Sequence, residues 1–292
     1  MLAMFQYEEL IERALKEDIG TGDISSIIIP EDYQGEAKIY AKEQGIICGI
    51  DIAELVFKKV DPSIVCELKV KDGDCITHGM LVMKIKGSLT GMLQAERTAL
   101  NFLQHLSGIS SATRKLADTV ADLGVKVVDT RKTLPGIRNL QKYAVRIGGG
   151  HNHRFGLYDA VILKDNHHAV AGGLSEAVRR VKTKIGHMVK IEVECETLQQ
   201  VKDALACGVD VIMLDNMSIQ EMKQAVEMIN HKAIVEASGG INEANIREIA
   251  ETGVDILSMG CLTHSVEAVD FSLVVDDMKP SIRKYIHEAE KI

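Results

Sequence analysis

The chain has 292 residues, of which 46% are hydrophobic and 26% charged, with a formal net charge of -8 and no tryptophan. That acidic balance excludes a nucleic-acid binder relying on bulk positive charge, and an ordinary composition without low-complexity tracts excludes a disordered scaffold. Six scattered cysteines with no C-x-x-C pair point to free thiols in a reducing compartment rather than to a disulfide frame or a zinc site.

The opening MLAMFQYEEL has no basic segment followed by a long apolar run, so no signal peptide is expected. Nor does any apolar run approach the ~20 residues of a membrane span. A soluble, cytoplasmic protein without membrane or nucleic-acid partners is the expectation. EAKIYAKEQGIICG and CELKVKDGDCITHGMLVMKIKGS read as short strands joined by Gly-Asp turns. Residues 92–123 read as helical, with Arg97 on the same side as Leu93 and Leu100. This region, residues 1–112, is expected to form a smaller α/β sandwich domain. The final SIRKYIHEAEKI reads as a helix, about 278–292, that packs back onto it.

The next region, residues 113–277, has a different rhythm. β-Branched runs recur at VKVVD, DAVILK (159–164), VKIEVE (189–194), VDVIML (209–214), AIVEAS (233–238) and VDILSM (254–259). Amphipathic segments such as SIQEMKQAVEMI and NEANIREIAETG lie between the later runs. Thr197 with Gln200 and Ser218 with Glu221 fit capping boxes, and Gly208 and Gly253 sit where helices should stop. Near-continuous apolar strands alternating with such helices indicate a parallel sheet covered by helices. Six or seven units suggest an incomplete α/β barrel, with a doubly wound open sheet as the competing architecture.

In parallel α/β folds, ligands bind at the carboxyl ends of the strands. Those ends carry Asp129-Thr130-Arg131-Lys132, Lys164-Asp165-Asn166-His167, Glu194, Asp215-Asn216, Ser238-Gly239-Gly240, and Ser258 with Gly260. Arg131, Lys132, Arg154, Lys164 and Arg97 suit carboxylates or phosphates. Glu194 and Asp215 are hard oxygen donors that suit Mg²⁺ or sugar hydroxyls. SGG (238–240) and SMG (258–260) read as small-residue turns at helix N-termini, where free N–H groups bind phosphate. Together these groups fit an anionic substrate pair: a phosphorylated sugar bearing pyrophosphate, and a small acid. The stretch GGGHNHRFG (148–156) stays open on the residues alone, as a phosphate loop, a metal pair or a close backbone approach.

DTRKTLPGIRNLQKYAVRIGGGHNHRFGLYDAVILKDNH (129–167) closely resembles the signature of the quinolinate phosphoribosyltransferase family, the decarboxylating nicotinate-nucleotide pyrophosphorylases. GTGDIS (20–25), QAERTALNFLQHLSGISSAT (94–113), EVE (192–194), MLDN (213–216), EASGGI (236–241) and SMGCLTHS (258–265) agree in order along nearly the whole chain. The resemblance implies a homodimer, sometimes assembled into hexamers, whose N-terminal domain covers the neighbouring subunit's barrel. It implies transfer of phosphoribosyl from phosphoribosyl pyrophosphate to quinolinate with Mg²⁺, giving nicotinate mononucleotide, pyrophosphate and carbon dioxide for NAD synthesis.

Carried over residue by residue, the resemblance gives Arg131, His153, Arg154 and Lys164 to the two carboxylates of quinolinate. Thr130 belongs to the same substrate-binding set, and Arg97 reaches the partner's site. Lys132 sits near the pyrophosphate, while Glu194 and Asp215 hold ribose hydroxyls or Mg²⁺. Ser238, Gly239, Gly240, Ser258 and Gly260 take the 5′-phosphate, with His264 nearby. Lys132, Lys164, Glu194 and Asp215 are the residues implied in catalysis. On this reading GGGHNHRFG brings backbone close while His153 and Arg154 face an acid, and His151 is a bystander.

Three other readings fit parts of the sequence. One is a molybdenum-transport-associated homologue, or another phosphoribosyltransferase taking a different acid such as nicotinate. A second is a metal pair at His167-His168, which lacks further ligands at the right spacing. The third is a biotinyl or lipoyl carrier at KVKDGDCITHGMLVMKIKG (69–87), whose Lys84 lies inside an apolar run rather than at a turn.

Overall fold

The computed structural model describes residues 7–30 and 32–275. The chain divides into two compact units, one running to Ser111 and resuming at Glu267, the other spanning Ala112–Val266.

The first unit contains α1 (Glu8–Ile19), β1 (Gln34–Ala41), β2 (Gly45–Ile46), α2 (Ile50–Val60), β3 (Val65–Leu68), β4 (Cys75–Ile76), β5 (Leu81–Ser88) and the start of α3 (Leu89–Thr119). β1 buries every second residue (Ala37, Ile39, Ala41), the signature of a sheet with one covered face. α2 buries Ile52, Ala53, Val56 and Phe57 at helical spacing. The composition signals that announced the strands gave no warning of α1 and α2.

Serines on α3 complete the backbone pairing of the short β2 region. Ser111 Oγ accepts the Ile46 N–H at 2.8 Å, Ser107 Oγ accepts the Cys48 N–H at 3.0 Å, and Ser110 Oγ donates to Ile46 O at 2.6 Å. Buried backbone groups need such partners, which explains serines on the buried face of a helix. Lys84 lies mid-strand in β5, opposite Lys38 of β1 and Glu67 of β3, so it is not at the hairpin tip a carrier lysine requires.

The expected boundary at 277 does not coincide with the division of the fold. The strand β12 (Phe271–Val275) pairs antiparallel with β1, completing a sheet of order β12-β1-β5-β3. That pairing places the chain from Glu267 in the first unit. A side chain at Gly108 of α3 would run into the Glu267 carbonyl, so glycine is what lets this returning segment lie against the helix. The helix expected at about 278–292 falls outside the described residues.

The second unit is built on six parallel strands: β6 (Lys126–Val128), β7 (Val161–Leu163), β8 (Ile191–Cys195), β9 (Val211–Asp215), β10 (Ile234–Ser238) and β11 (Ile256–Ser258). Four fall within the β-branched runs, and β8 and β9 each extend one residue past theirs, to Cys195 and Asp215. Their order is β6-β11-β10-β9-β8-β7, so β7 to β11 follow in sequence and the first strand sits beside the last. An α/β sheet that winds this way is a barrel and has no point of reversal, which removes the doubly wound alternative. His151 forms a single parallel bridge to Val128, adding a one-residue seventh step beyond β6.

The helices α4 (Arg138–Ile147), α5 (Asp165–Ala171), α6 (Leu174–Lys182), α7 (Leu198–Ala206), α8 (Ile219–Ile229), α9 (Ile246–Ala250) and α10 (Cys261–His264) follow the strands in turn. Both expected capping boxes form, at Thr197 with Gln200 and at Ser218 with Glu221. Residues such as Val193, Ile212, Leu214, Val235, Ala237 and Leu257 are fully buried or nearly so.

Candidate active site

Strand periodicity builds the site in two rows. Side chains two apart share a face, so Ile162 and Lys164, Glu192 and Glu194, Met213 and Asp215, and Glu236 and Ser238 form pairs, each with one member a step deeper. Pairing in register aligns the pairs: Asp215 lies opposite Ser238, which lies opposite Ser258, while Met213 lies opposite Glu236. The strand-end members, together with Ile162, Met213 and Glu236 of the deeper row, line a cavity of ≈ 490 Å³. That volume suits a small-molecule substrate.

Thr130, Arg131, Lys132, His153, Arg154, Lys164, Glu194, Asp215, Ser238, Gly239, Gly240 and Ser258 all line this one cavity, together with Asn216. All of these lie in the second unit. Gly260 and His264 lie just outside the lining; a side chain at Gly260 would press on the Lys132 stem and the His264 ring. Arg97 is exposed on α3 in the first unit and takes no part in the lining.

Two loops carry Arg131 and Arg154 to the cavity, and one buried cluster clamps both. Asp129 and Lys142, each fully buried, form an ion pair. Lys142 Nζ also donates to His153 O at 2.9 Å, and its ammonium sits 5.1 Å from the Phe155 ring centre. Asp129 accepts the His153 N–H at 2.9 Å and the Asn152 amide at 2.5 Å. Burial pushes the Asp129 carboxyl up and the Lys142 ammonium down, each against the pull of its partner. Arg138 adds a brace, its guanidinium donating to Thr133 Oγ1 and to Phe155 O, both at 2.9 Å. The backbone leading to Arg131 and that carrying His153 and Arg154 are thus fixed to each other.

Arg154 donates through Nη1 to Ala160 O at 2.7 Å. Lys164 pairs with Glu194 across β7 and β8. Asp215 Oδ2 accepts from the Asn216 amide at 2.9 Å. Asn216 and Gly239 both adopt left-handed backbone (φ 53° and 93°), and a side chain at Gly239 would collide with the Asn216 amide. The SGG turn differs from its expected setting. α10 starts directly after Gly260, whereas α9 starts only at Ile246, so the amides of Gly239 and Gly240 belong to a loop rather than a helix terminus.

Beneath the cations lies a feature the sequence reading missed. Glu192 and Glu236 are buried (4% and 1% exposed), and an Oε2 of each approaches His153 Nε2, at 3.2 and 3.3 Å. Burial opposes a charge on His153 while its hydrogen bonds to the two carboxylates favour one; the Arg154 N–H directed at Nδ1 leaves no place there for a second ring proton, so the ring stays neutral. The pull acts at Nε2; Nδ1 accepts the Arg154 backbone N–H at 2.8 Å, so the ring proton belongs on Nε2. Burial, and the neighbouring Glu236 charge, raise the Glu192 carboxyl, with His153 pulling the other way. The signal was available: these are carboxylates in the middle of otherwise apolar strands, two residues before a residue already singled out.

Comparison with known proteins agrees along both units. Residues 23–107 match the family described as quinolinate phosphoribosyl transferase, N-terminal domain, and residues 109–274 match its C-terminal domain. A probable nicotinate-nucleotide pyrophosphorylase [carboxylating] of Bacillus subtilis is 42% identical over 279 residues, covering 96% of each chain. Another of that name, from Methanocaldococcus jannaschii, is 43% identical over 275 residues, covering 91% of this chain and 95% of the other. The crystal structure of NadC from Streptococcus pyogenes superposes with a TM-score of 0.91 at 41% identity, covering 95% of this chain and 99% of that one.

Proposed function

The chain belongs to the quinolinate phosphoribosyl transferase family, and from that membership we propose that it transfers phosphoribosyl from phosphoribosyl pyrophosphate to quinolinate with decarboxylation. The products are nicotinate mononucleotide, pyrophosphate and carbon dioxide, and the enzyme is a cytoplasmic pentosyltransferase of de novo NAD synthesis. The observation that carries the reading is the gathering of Arg131, Lys132, Arg154 and Lys164 in one cavity with Glu194, Asp215 and the Ser238–Gly240 turn. A dicarboxylate and a phosphorylated sugar need those two chemistries side by side.

The residues divide the work by charge. Arg131, Arg154 and Lys164 hold the dicarboxylate, with Thr130 and His153 at the same end. Ser238, Gly239, Gly240 and Ser258 receive the 5′-phosphate, with Gly260 and His264 beside Lys132. As pyrophosphate leaves, Lys132 takes up its growing negative charge while C1 of the ribose becomes oxocarbenium-like. Glu194 and Asp215 stabilise the ribose ring through its hydroxyls. The pyridine nitrogen then bonds to C1, and the resulting pyridinium stabilises the electron pair left on the adjacent ring carbon when its carboxylate departs as carbon dioxide; a proton from solvent then takes that position. Positioning and fixed charge supply the catalysis.

Glu194 and Asp215 also fit Mg²⁺, since they are carboxylates that line the cavity from adjacent strands. Bound there beside pyrophosphate, Mg²⁺ would neutralise charge on the departing group.

Assembly belongs to the same proposal. Ile24, Ile27 and Ile28 are 83%, 78% and 89% exposed within one turn, an apolar surface that suits a second copy of the chain. In a homodimer, Arg97 completes the neighbouring subunit's acid pocket. Mixing Arg97→Ala with Lys164→Ala subunits tests this: mixed dimers regain activity if the site is shared, and stay inactive if it is not.

The reaction itself is tested with phosphoribosyl pyrophosphate, Mg²⁺ and either quinolinate or nicotinate. Nicotinate mononucleotide formed from quinolinate alone is the expected result. Turnover of nicotinate, or of neither acid, would transfer the chain to a homologous activity with another acid.

A further inference from the structure

The pocket floor contains a group whose presence the fold does not require. Glu192 and Glu236 place two carboxylates in the barrel interior, and Oε1 of each has no hydrogen-bond partner among the described residues. Burying a carboxylate with unmet acceptors is unfavourable, and apolar residues of similar size would pack there at less cost. Buried polar atoms left short of partners call for an explanation, and strained or unsatisfied groups concentrate at functional sites.

The ligand atoms of His153, Glu192 and Glu236 lie within 4.8 Å of one another, spacing that a metal ion could span. The histidine's own hydrogen bonds argue otherwise. A metal-bound imidazole usually donates its other ring N–H to a neighbour. Here the other nitrogen, Nδ1, accepts an N–H from Arg154, which leaves the proton on Nε2, facing the carboxylates.

We infer that Glu192 and Glu236 are positioning residues for the acid-binding end of the cavity: by accepting the His153 Nε2–H they fix the ring whose Nδ1 holds the Arg154 backbone N–H. The rest of the loop is already anchored, with His153 N bound to Asp129 and His153 O to Lys142. Arg154 Nη1 is tied to Ala160 O, so the ring is the remaining joint between the floor and the guanidinium. Both ring nitrogens are therefore engaged within the protein. His153 serves by orientation, and the direct charge contacts fall to Arg131, Arg154 and Lys164. This inference rests on the reading that the cavity takes a pyridine dicarboxylate.

The test measures kcat, both KM values and the thermal midpoint for Glu192→Ala, Glu192→Gln, Glu236→Ala and Glu236→Gln in the full chain. The alanine variants should raise KM for quinolinate about ten- to a hundredfold while KM for phosphoribosyl pyrophosphate moves less than about twofold. Glutamine, whose carbonyl accepts the same N–H, should restore quinolinate KM to within about threefold of wild type. Thermal midpoints should hold or rise. The inference fails if both KM values move together, if glutamine is as impaired as alanine, or if midpoints fall while KM values stay put. It also fails if elemental analysis finds a stoichiometric divalent ion in the wild type that the alanine variants lose. A wild-type chain that does not turn over quinolinate would sink the functional reading first; an active wild type with unsplit KM values sinks only this inference.

Discussion

Two buried polar clusters lie side by side in the barrel, and they are built differently. Around Asp129 and Lys142 nearly every donor and acceptor is engaged: the ion pair, the Asn152 amide, and the backbone N–H and C=O of His153. Around Glu192 and Glu236 half of the carboxylate oxygens have no partner among the described residues. The first arrangement is what a clamp requires, since a buried charge is tolerated only when paired and fully hydrogen-bonded. The second lowers stability and is accounted for by the site above it. Proximity in the fold does not make two buried charge clusters equivalent; their hydrogen-bond completeness tells them apart.

Breaking the clamp should have the largest effect on the fold. Lys142→Met leaves Asp129 buried without its ammonium, so chemical denaturation should show a loss of about 3–5 kcal/mol. The same variant should lose activity even where it remains folded, because Arg131 and Arg154 lose their common anchor. Among substitutions that leave the fold intact, Lys164→Ala should have the largest effect. Steady-state kinetics should show kcat/KM for quinolinate reduced about 10²–10³-fold, with an unchanged thermal midpoint.

Gly239→Ala tests the proposed contrast between an acid end and a phosphate end. The residue needs φ near 93° and its side chain would displace Asn216, so KM for phosphoribosyl pyrophosphate should rise more than KM for quinolinate. Away from both clusters, effects shrink. Thr197→Ala removes the α7 cap and should cost about 1 kcal/mol in denaturation without changing kinetics.

The exposed carboxylate Glu176 gives the smallest expected change. Its hydrogen bonds to Arg179 and Arg180 lower its pKa from 4.5 to about 2. A lowered folded-state pKa contributes stability above the unfolded value, and that contribution disappears as pH falls from about 4.5 towards 2. Glu176→Gln should therefore slightly lower the melting temperature at pH 7 and flatten its acid decline over that window. On the solvated surface, screening keeps the effect small.

Much of the barrel was legible in the sequence because its strands are short β-branched runs and two of its helices announce themselves through capping boxes. The charged strand ends marked most of the cavity, since strand direction alone brings them to one rim. What stayed hidden has physical causes. α1 and α2 bury their apolar faces at helical spacing but are flanked by no distinctive cap, and Gly49 before α2 offers no side chain to read. The return of β12 to β1 is a long-range pairing that no local pattern announces. Glu192 and Glu236 sat inside runs read for their apolar residues. Only the period-two alternation, applied inward from Glu194 and Ser238, would have placed them under the site. The role of the Ser238–Gly240 turn was misjudged in setting, because the distance from the turn to the next helix start depends on the intervening INEAN loop.

The most direct test follows the fate of quinolinate labelled at the carboxylate next to the ring nitrogen, incubated with the purified chain, phosphoribosyl pyrophosphate and Mg²⁺, with Lys164→Ala in parallel. The wild type should release labelled carbon dioxide in step with nicotinate mononucleotide, and the variant should release almost none. Label that stays in the acid, or release that is independent of phosphoribosyl pyrophosphate, would contradict a decarboxylating phosphoribosyl transfer at this site.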